Sequence, residues 1–72
     1  MVTINFHING RDIEAELTPG LRVILRETNG AEVAFSISEA FAALLPQGPE
    51  FVLRSTVDDA IRALVLKHAQ AN

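Results

Sequence analysis

The chain has few side chains with the chemistry of a catalyst or a metal ligand. Its two histidines, His7 and His68, could act as bases or ligands, but neither lies at a spacing typical of a metal site. Glu14 and Glu16 lie on one face of a predicted strand, where two carboxylates could serve in acid–base catalysis. Arg22 is predicted to lie beside Glu16, so the pattern does not favour the perturbed pKa that such an acid needs. We expect structural roles for all five residues.

Other catalytic and cofactor motifs are missing from the sequence. The absence of cysteine excludes disulfides, thiolate metal sites and iron–sulfur clusters. The four glycines are isolated turn residues and form no phosphate-binding loop, and the serines lie at predicted helix starts rather than in a nucleophile elbow. We therefore expect no cofactor and no enzymatic activity.

Three arginines suggest that the protein binds nucleic acid, which is the alternative to a protein-interaction role. Arg22, Arg26 and Arg54 could form a basic strip for nucleic acid, with the phosphates giving the affinity. Two features disfavour this hypothesis: the net charge is −3, and there is no Tyr or Trp for base stacking. A nucleic-acid-binding regulator remains the second hypothesis.

Length and composition predict one small globular domain over residues 1–72. With 49% hydrophobic and 21% charged residues, the chain has the composition of a folded protein rather than a disordered one. The N-terminus has neither a basic stretch nor a continuous apolar segment, and no apolar run reaches the length of a membrane span. The sequence therefore predicts a cytoplasmic protein with no membrane partner.

Two Asn-Gly dipeptides predict two β-hairpins. Asn9-Gly10 is typical of a two-residue type I′ turn, which pairs residues 2–8 with residues 11–17 and brings apolar residues onto one face. Around Asn29-Gly30 a two-residue loop would mix the faces, so a three-residue loop, Thr28 to Gly30 with a bulge, is favoured. This register pairs Leu25 with Val33.

Thr18-Pro19-Gly20 connects the two hairpins and completes a four-stranded antiparallel meander. Pro-Gly suits the centre of a type II turn with Gly20 at positive φ, which predicts that Ile13 faces Leu25 and Ala15 faces Val23. The outer face then carries two ladders of alternating charge or polarity: His7–Asp12–Arg26–Glu32 and Thr3–Glu16–Arg22–Ser36. The apolar period of residues 21–28 also fits a helix, but Val23-Ile24 and the strand pairing favour the sheet.

Two C-terminal helices are predicted on the apolar face of the sheet. Ser36 and Glu39 fit a capping box that opens the first helix, and Pro46 ends it. The second helix begins near Ser55 or Thr56. Residues 51–54 between them predict a short fifth strand or an extended lead-in. The fold class is therefore α+β.

Leu66 falls outside the apolar stripe of the second helix and is predicted to be exposed. It is the main sequence indication of a protein partner or a homodimer. The leading hypothesis is a non-enzymatic interaction or regulatory module that acts through Leu66, the outer sheet face or a sheet edge.

Residues 3–30 resemble the opening of the iron–sulfur subunits of molybdenum hydroxylases. The matching segments are Ile4-Asn5-Phe6, Asn9-Gly10-Arg11 and Leu25-Arg26-Glu27 before Gly30. The resemblance implies a helix at Leu25-Arg26-Glu27. That family places its cluster cysteines immediately afterwards, and this chain has none, so cofactor and redox activity do not carry over.

The second half, with Ile37 to Phe41 and a charged final helix, resembles small bacterial domains of unknown function, which implies no active site.

Overall fold

A computed structural model describes residues 2–71. Four strands are followed by three α-helices and a short 3-10 turn: β1 (Val2–Ile8), β2 (Arg11–Leu17), β3 (Arg22–Glu27), β4 (Glu32–Ser36), α1 (Ile37–Ala42), the 3-10 turn (Leu45–Gln47), α2 (Pro49–Arg54) and α3 (Val57–Ala71). The strands form one antiparallel sheet in the order β1-β2-β3-β4. The predicted α+β meander is confirmed, and the helical alternative for residues 21–28 is wrong, because they contain strand β3.

Both Asn-Gly turns have the predicted geometry. Asn9 and Gly10 have φ of 54° and 73°, the signature of a type I′ turn, and all seven predicted β1–β2 pairs are present. At the second turn Gly30 has φ of 89°, and Glu27 and Ala31 close a three-residue loop through a backbone hydrogen bond of 2.9 Å. The predicted pairing of Leu25 with Val33 is confirmed.

The connection between the hairpins differs from the prediction by two residues. Leu17 pairs with Val23 and Ala15 pairs with Leu25, because the turn is centred on Gly20 rather than on Pro19. A shift of two keeps every side chain on its predicted face, so the apolar pattern cannot distinguish the two registers. The shift breaks the predicted ladders, since Arg26 now lies opposite Glu14 instead of Asp12.

The backbone of this loop also differs from the predicted type II turn. Leu21, rather than Gly20, takes the positive φ, at 59°. A leucine is strained in this left-handed region because its Cβ approaches the neighbouring backbone. The loop is nonetheless closed by hydrogen bonds of 2.9 Å from the Thr18 amide to the Arg22 carbonyl and from the Leu21 amide to the Thr18 carbonyl.

Replacing Leu21 with glycine should therefore stabilise the protein. We expect a gain of about 0.5–1 kcal/mol in the free energy of unfolding, since relief of strain exceeds the added entropy of the unfolded chain. Urea denaturation measures it. Gly30→Ala, which introduces a Cβ at φ of 89°, is the opposite control and should destabilise. A Leu21→Gly protein that is less stable than the wild type would contradict the argument that the Leu21 backbone is strained.

The helices correct two predictions and refine another. Helix α1 ends at Ala42 rather than at Pro46, which lies in the 3-10 turn. Residues 51–54 are not a strand, because they belong to helix α2, which begins at Pro49 after Gly48. Ser36 caps α1 in the predicted capping box. Thr56 opens α3, since its amide donates to Asp59 at 2.9 Å and its hydroxyl accepts from the Asp59 amide at 3.2 Å.

The core lies between the inner face of the sheet and helices α1 and α3. Its buried residues come from the two central strands, from these helices and from the segment just after α1: Ile13, Ala15, Val23, Leu25, Ala40, Leu44, Ala60, Ile61, Leu64, Val65 and Ala69. Helix α2 contributes only the partly buried Val52. The fold therefore leaves three features uncovered: the outer sheet face, the sheet edges and most of α2.

Candidate functional site

Arg26 lies on the outer face of the sheet among three carboxylates. Its guanidinium donates hydrogen bonds to Glu16 and, at 2.7 Å, to Glu32, and its Nη1 lies 3.5 Å from Glu14. The hydrogen bonds that it donates, first to Glu16 and then to Glu32, raise the pKa of Arg26 above its usual range. Its charge is compensated by its neighbours, so Arg26 offers little to a phosphate.

The structure does not bring the three predicted arginines together as a strip on the sheet. Arg22 and Arg26 both lie on β3, four residues apart and on the same face. Arg54 is the last residue of α2, where it lines a surface depression with Phe51 and Asp59.

His7 is paired as predicted. Its Nδ1 lies 2.7 Å from Oδ1 of Asp12, and both side chains are exposed on the outer face. An exposed pair of this kind contributes little to stability.

His68 belongs to a cluster with Arg11 and Glu27 that sequence analysis missed. Arg11 donates two hydrogen bonds to the Glu27 carboxylate, at 2.7 and 2.8 Å, in a bidentate geometry. It also donates to the carbonyl of Ala69 at 3.0 Å, and Nε2 of His68 lies 3.4 Å from Glu27. The rings of His68 and Phe35 pack in a T-shaped arrangement, with their centroids 6.4 Å apart. We call Arg11, Glu27 and His68 the charged cluster.

The charged cluster links the C-terminal part of α3 to the two central strands on the inner face of the sheet. Its three side chains are partly buried, with exposed fractions between 16% and 24%. The Arg11 hydrogen bond, with a smaller contribution from His68, lowers the pKa of Glu27 despite partial burial, which acts in the opposite direction. A carboxylate fixed in its ionised form and bound on two sides suits a structural link better than proton transfer.

Helix α2 and the preceding turn carry three exposed apolar side chains. Leu53 is 86% exposed, Leu45 is 62% exposed and Phe51 is 44% exposed. Val52 lies between two of them in sequence and packs against the core, so the backbone of α2 is anchored while its apolar neighbours face outward. We call Leu45, Phe51 and Leu53 the α2 surface. Sequence analysis missed it because residues 51–54 were predicted to be extended.

Leu66 is exposed as predicted, with 46% of its surface accessible on α3. Its neighbours in the chain are the buried Val65 and the exposed Lys67. A single exposed apolar residue is common on protein surfaces, whereas three of them lie within residues 45–53.

In a surface depression of about 480 Å³, the charged lining residues already have partners. Asp12 contacts His7, Glu14 contacts Arg26, and Glu27 contacts Arg11. In the part of the chain that the structure describes, no three His, Asp or Glu side chains are grouped as metal ligands. Between residues 2 and 71, no helix is both long enough and apolar enough to cross a membrane.

Comparisons with known protein families, with curated proteins and with solved structures find no match to this chain.

Proposed function

We propose that the protein is a non-enzymatic interaction module that binds a protein partner through the α2 surface. One observation carries the proposal: Leu53 is 86% exposed although it lies within a regular helix that is anchored to the core. Burying a leucine side chain is worth about 1.5–3 kcal/mol relative to leaving it in water. A partner that covered Leu53 would gain this free energy without unfolding any element.

The local charge favours a protein over an anionic membrane as the partner. Glu50 lies on α2, and Asp58 and Asp59 lie in the first turn of α3, against one cation on α2, Arg54. Anionic lipid attracts basic segments, and this segment is not basic. An apolar protein surface with a basic rim is the complementary partner.

The nucleic-acid alternative has less support from the geometry. It requires arginines available to phosphates, and the Arg26 guanidinium contacts Glu14, Glu16 and Glu32. The interaction module remains the better-supported function.

A charge placed on the α2 surface should abolish partner binding. We expect the tagged wild-type protein to retain a defined partner from a lysate of its source cells, and Leu53→Asp to lose it by at least about tenfold, since an aspartate cannot be buried unpaired. The measurement is quantitative mass spectrometry of the retained proteins, with circular dichroism to verify folding.

Leu66→Asp is the matched control, because it makes the same change at an exposed leucine of another helix. Loss with Leu53→Asp alone supports the α2 surface. Loss with Leu66→Asp alone would assign binding to α3 instead, and identical retention by all three proteins would contradict the proposal.

A further inference from the structure

Strand β1 is an edge of the sheet and lacks the features that normally protect an edge. It is seven residues long and contains no Lys, Pro or charged carboxylate. Edge strands usually carry such residues, or a bulge, because their unpaired backbone groups otherwise pair with another strand. The opposite edge differs: β4 has five residues, begins with Glu32 and passes directly into α1.

The turn geometry identifies the backbone groups that face outward from β1. In a two-residue hairpin the residues that flank the turn, here Ile8 and Arg11, form a hydrogen-bonded pair. Pairs then alternate along an antiparallel ladder, so Ile8, Phe6, Ile4 and Val2 bond to β2. The N–H and C=O groups of Thr3, Asn5 and His7 therefore point away from the sheet.

We propose that β1 pairs antiparallel with β1 of a second copy of this chain, about a two-fold axis at Asn5. In this register Asn5 faces Asn5 of the second copy, and Thr3 faces His7 in both directions. These are the residues with outward backbone groups, so each pair exchanges two N–H···O bonds. The two sheets join into one of eight strands, and no unpaired edge remains at β1.

The side chains of β1 are self-complementary in this register. On the inner face Val2 meets Ile8 and Ile4 meets Phe6, so apolar residues lie opposite apolar residues. Val2 is 56% exposed in the single chain and gains a partner. No two like charges face each other, because His7 lies opposite Thr3.

Other registers and edges fit less well. Shifting the axis by one residue in either direction leaves only two of the outward-facing pairs and reduces the overlap from seven residues to five. Pairing β1 with β4 would place Glu32 against a strand without a cation, and this head-to-tail contact would extend into a filament rather than close.

Charge substitutions at Asn5 test the axis directly. Asn5 is exposed on the outer face, so a new charge there need not disturb the core. We expect the wild-type protein to be dimeric in analytical ultracentrifugation. Asn5→Lys and Asn5→Asp should each dissociate at least about tenfold more readily, because each places like charges opposite one another. Mixed together they should form a heterodimer as tightly as the wild type.

Ala34→Lys is the control, since Ala34 is the exposed outer-face residue at the middle of the other edge strand, and it should remain dimeric. A second readout needs no variant: amide exchange at Thr3, Asn5 and His7 should slow as concentration rises, while exchange at Ala34 should not change. A wild-type monomer at about millimolar concentration, growing filaments, or failure of the mixed variants to associate would each overturn the proposal.

This dimer does not depend on the α2 surface. Leu53→Asp should lose the partner protein and still dimerise, whereas Asn5→Lys should become monomeric and still bind the partner.

Discussion

Replacing Leu25 with alanine should remove about 2–5 kcal/mol from the free energy of unfolding. Leu25 is 1% exposed at the centre of β3, between Ala15 and Val33 on the neighbouring strands. Removing most of its side chain leaves a cavity that the surrounding sheet and helices cannot fill. A domain of 72 residues has a total stability of roughly 4–11 kcal/mol, so this single change would consume a large part of it.

The same substitution at Leu53 provides the control. Leu53 is 86% exposed, so Leu53→Ala should change stability by less than about 0.5 kcal/mol. Urea denaturation of the two variants and the wild type measures the difference. Equal losses would show that the Leu53 side chain is packed rather than exposed. That result would contradict both the predicted difference and the exposure of the α2 surface.

The hairpins were predictable because their turns and their apolar patterns carry independent information that agrees. Asn9-Gly10 predicts a two-residue turn by its preference for positive φ, and the alternation of β1 and β2 supports the same register. At Asn29-Gly30 a two-residue turn disagrees with the apolar pattern of the strands, whereas a three-residue loop agrees with it. The three-residue loop is the one observed. The turn residues and the apolar alternation were therefore sufficient to predict the strand register within each hairpin.

The link between the hairpins could not be predicted in the same way. A shift of two residues preserves the face of every side chain, and Pro19-Gly20 indicates a turn without requiring Leu21 to take the positive φ. The Arg11–Glu27 contact does not depend on this link, because the predicted register would place Arg11 directly opposite Glu27 and the observed register keeps them two residues apart on the same face. The part of the charged cluster that the sequence did not reveal is the approach of α3, which brings His68 and the Ala69 carbonyl to these two side chains.

The α2 surface was missed for a different reason. Phe51, Val52 and Leu53 form a short apolar run whose periodicity fits a strand or a helix equally well. Gly48 at φ of 99° and Pro49 at the first helical position decide for the helix, and the run is too short for its pattern to show which residues face outward. The exposure of Leu53 therefore had no signal in the sequence.

Glu27→Gln should destabilise the protein near neutral pH and lose that effect in acid. The pKa of Glu27 is lowered in the folded state, mainly by its hydrogen bond from Arg11, from an ordinary value of 4.5. A carboxyl group with a lowered folded pKa contributes stability that is present above its unfolded pKa and is lost as pH falls through the folded pKa. The wild type should therefore be more stable than Glu27→Gln at about pH 6, and the two should converge as pH falls below 4.5.

Glu32→Gln is the matched control for this pH dependence. Glu32 makes the same kind of contact with an arginine, but its side chain is 55% exposed and Arg26 retains Glu16 as a partner. We expect a smaller loss of stability at about pH 6 than for Glu27→Gln, because solvent screens the exposed pair. Urea denaturation from about pH 6 to pH 3 compares the three proteins, which differ only at residues 27 and 32. A difference between wild type and Glu27→Gln that stayed constant across this range would show that the charge of Glu27 does not hold α3 to the sheet.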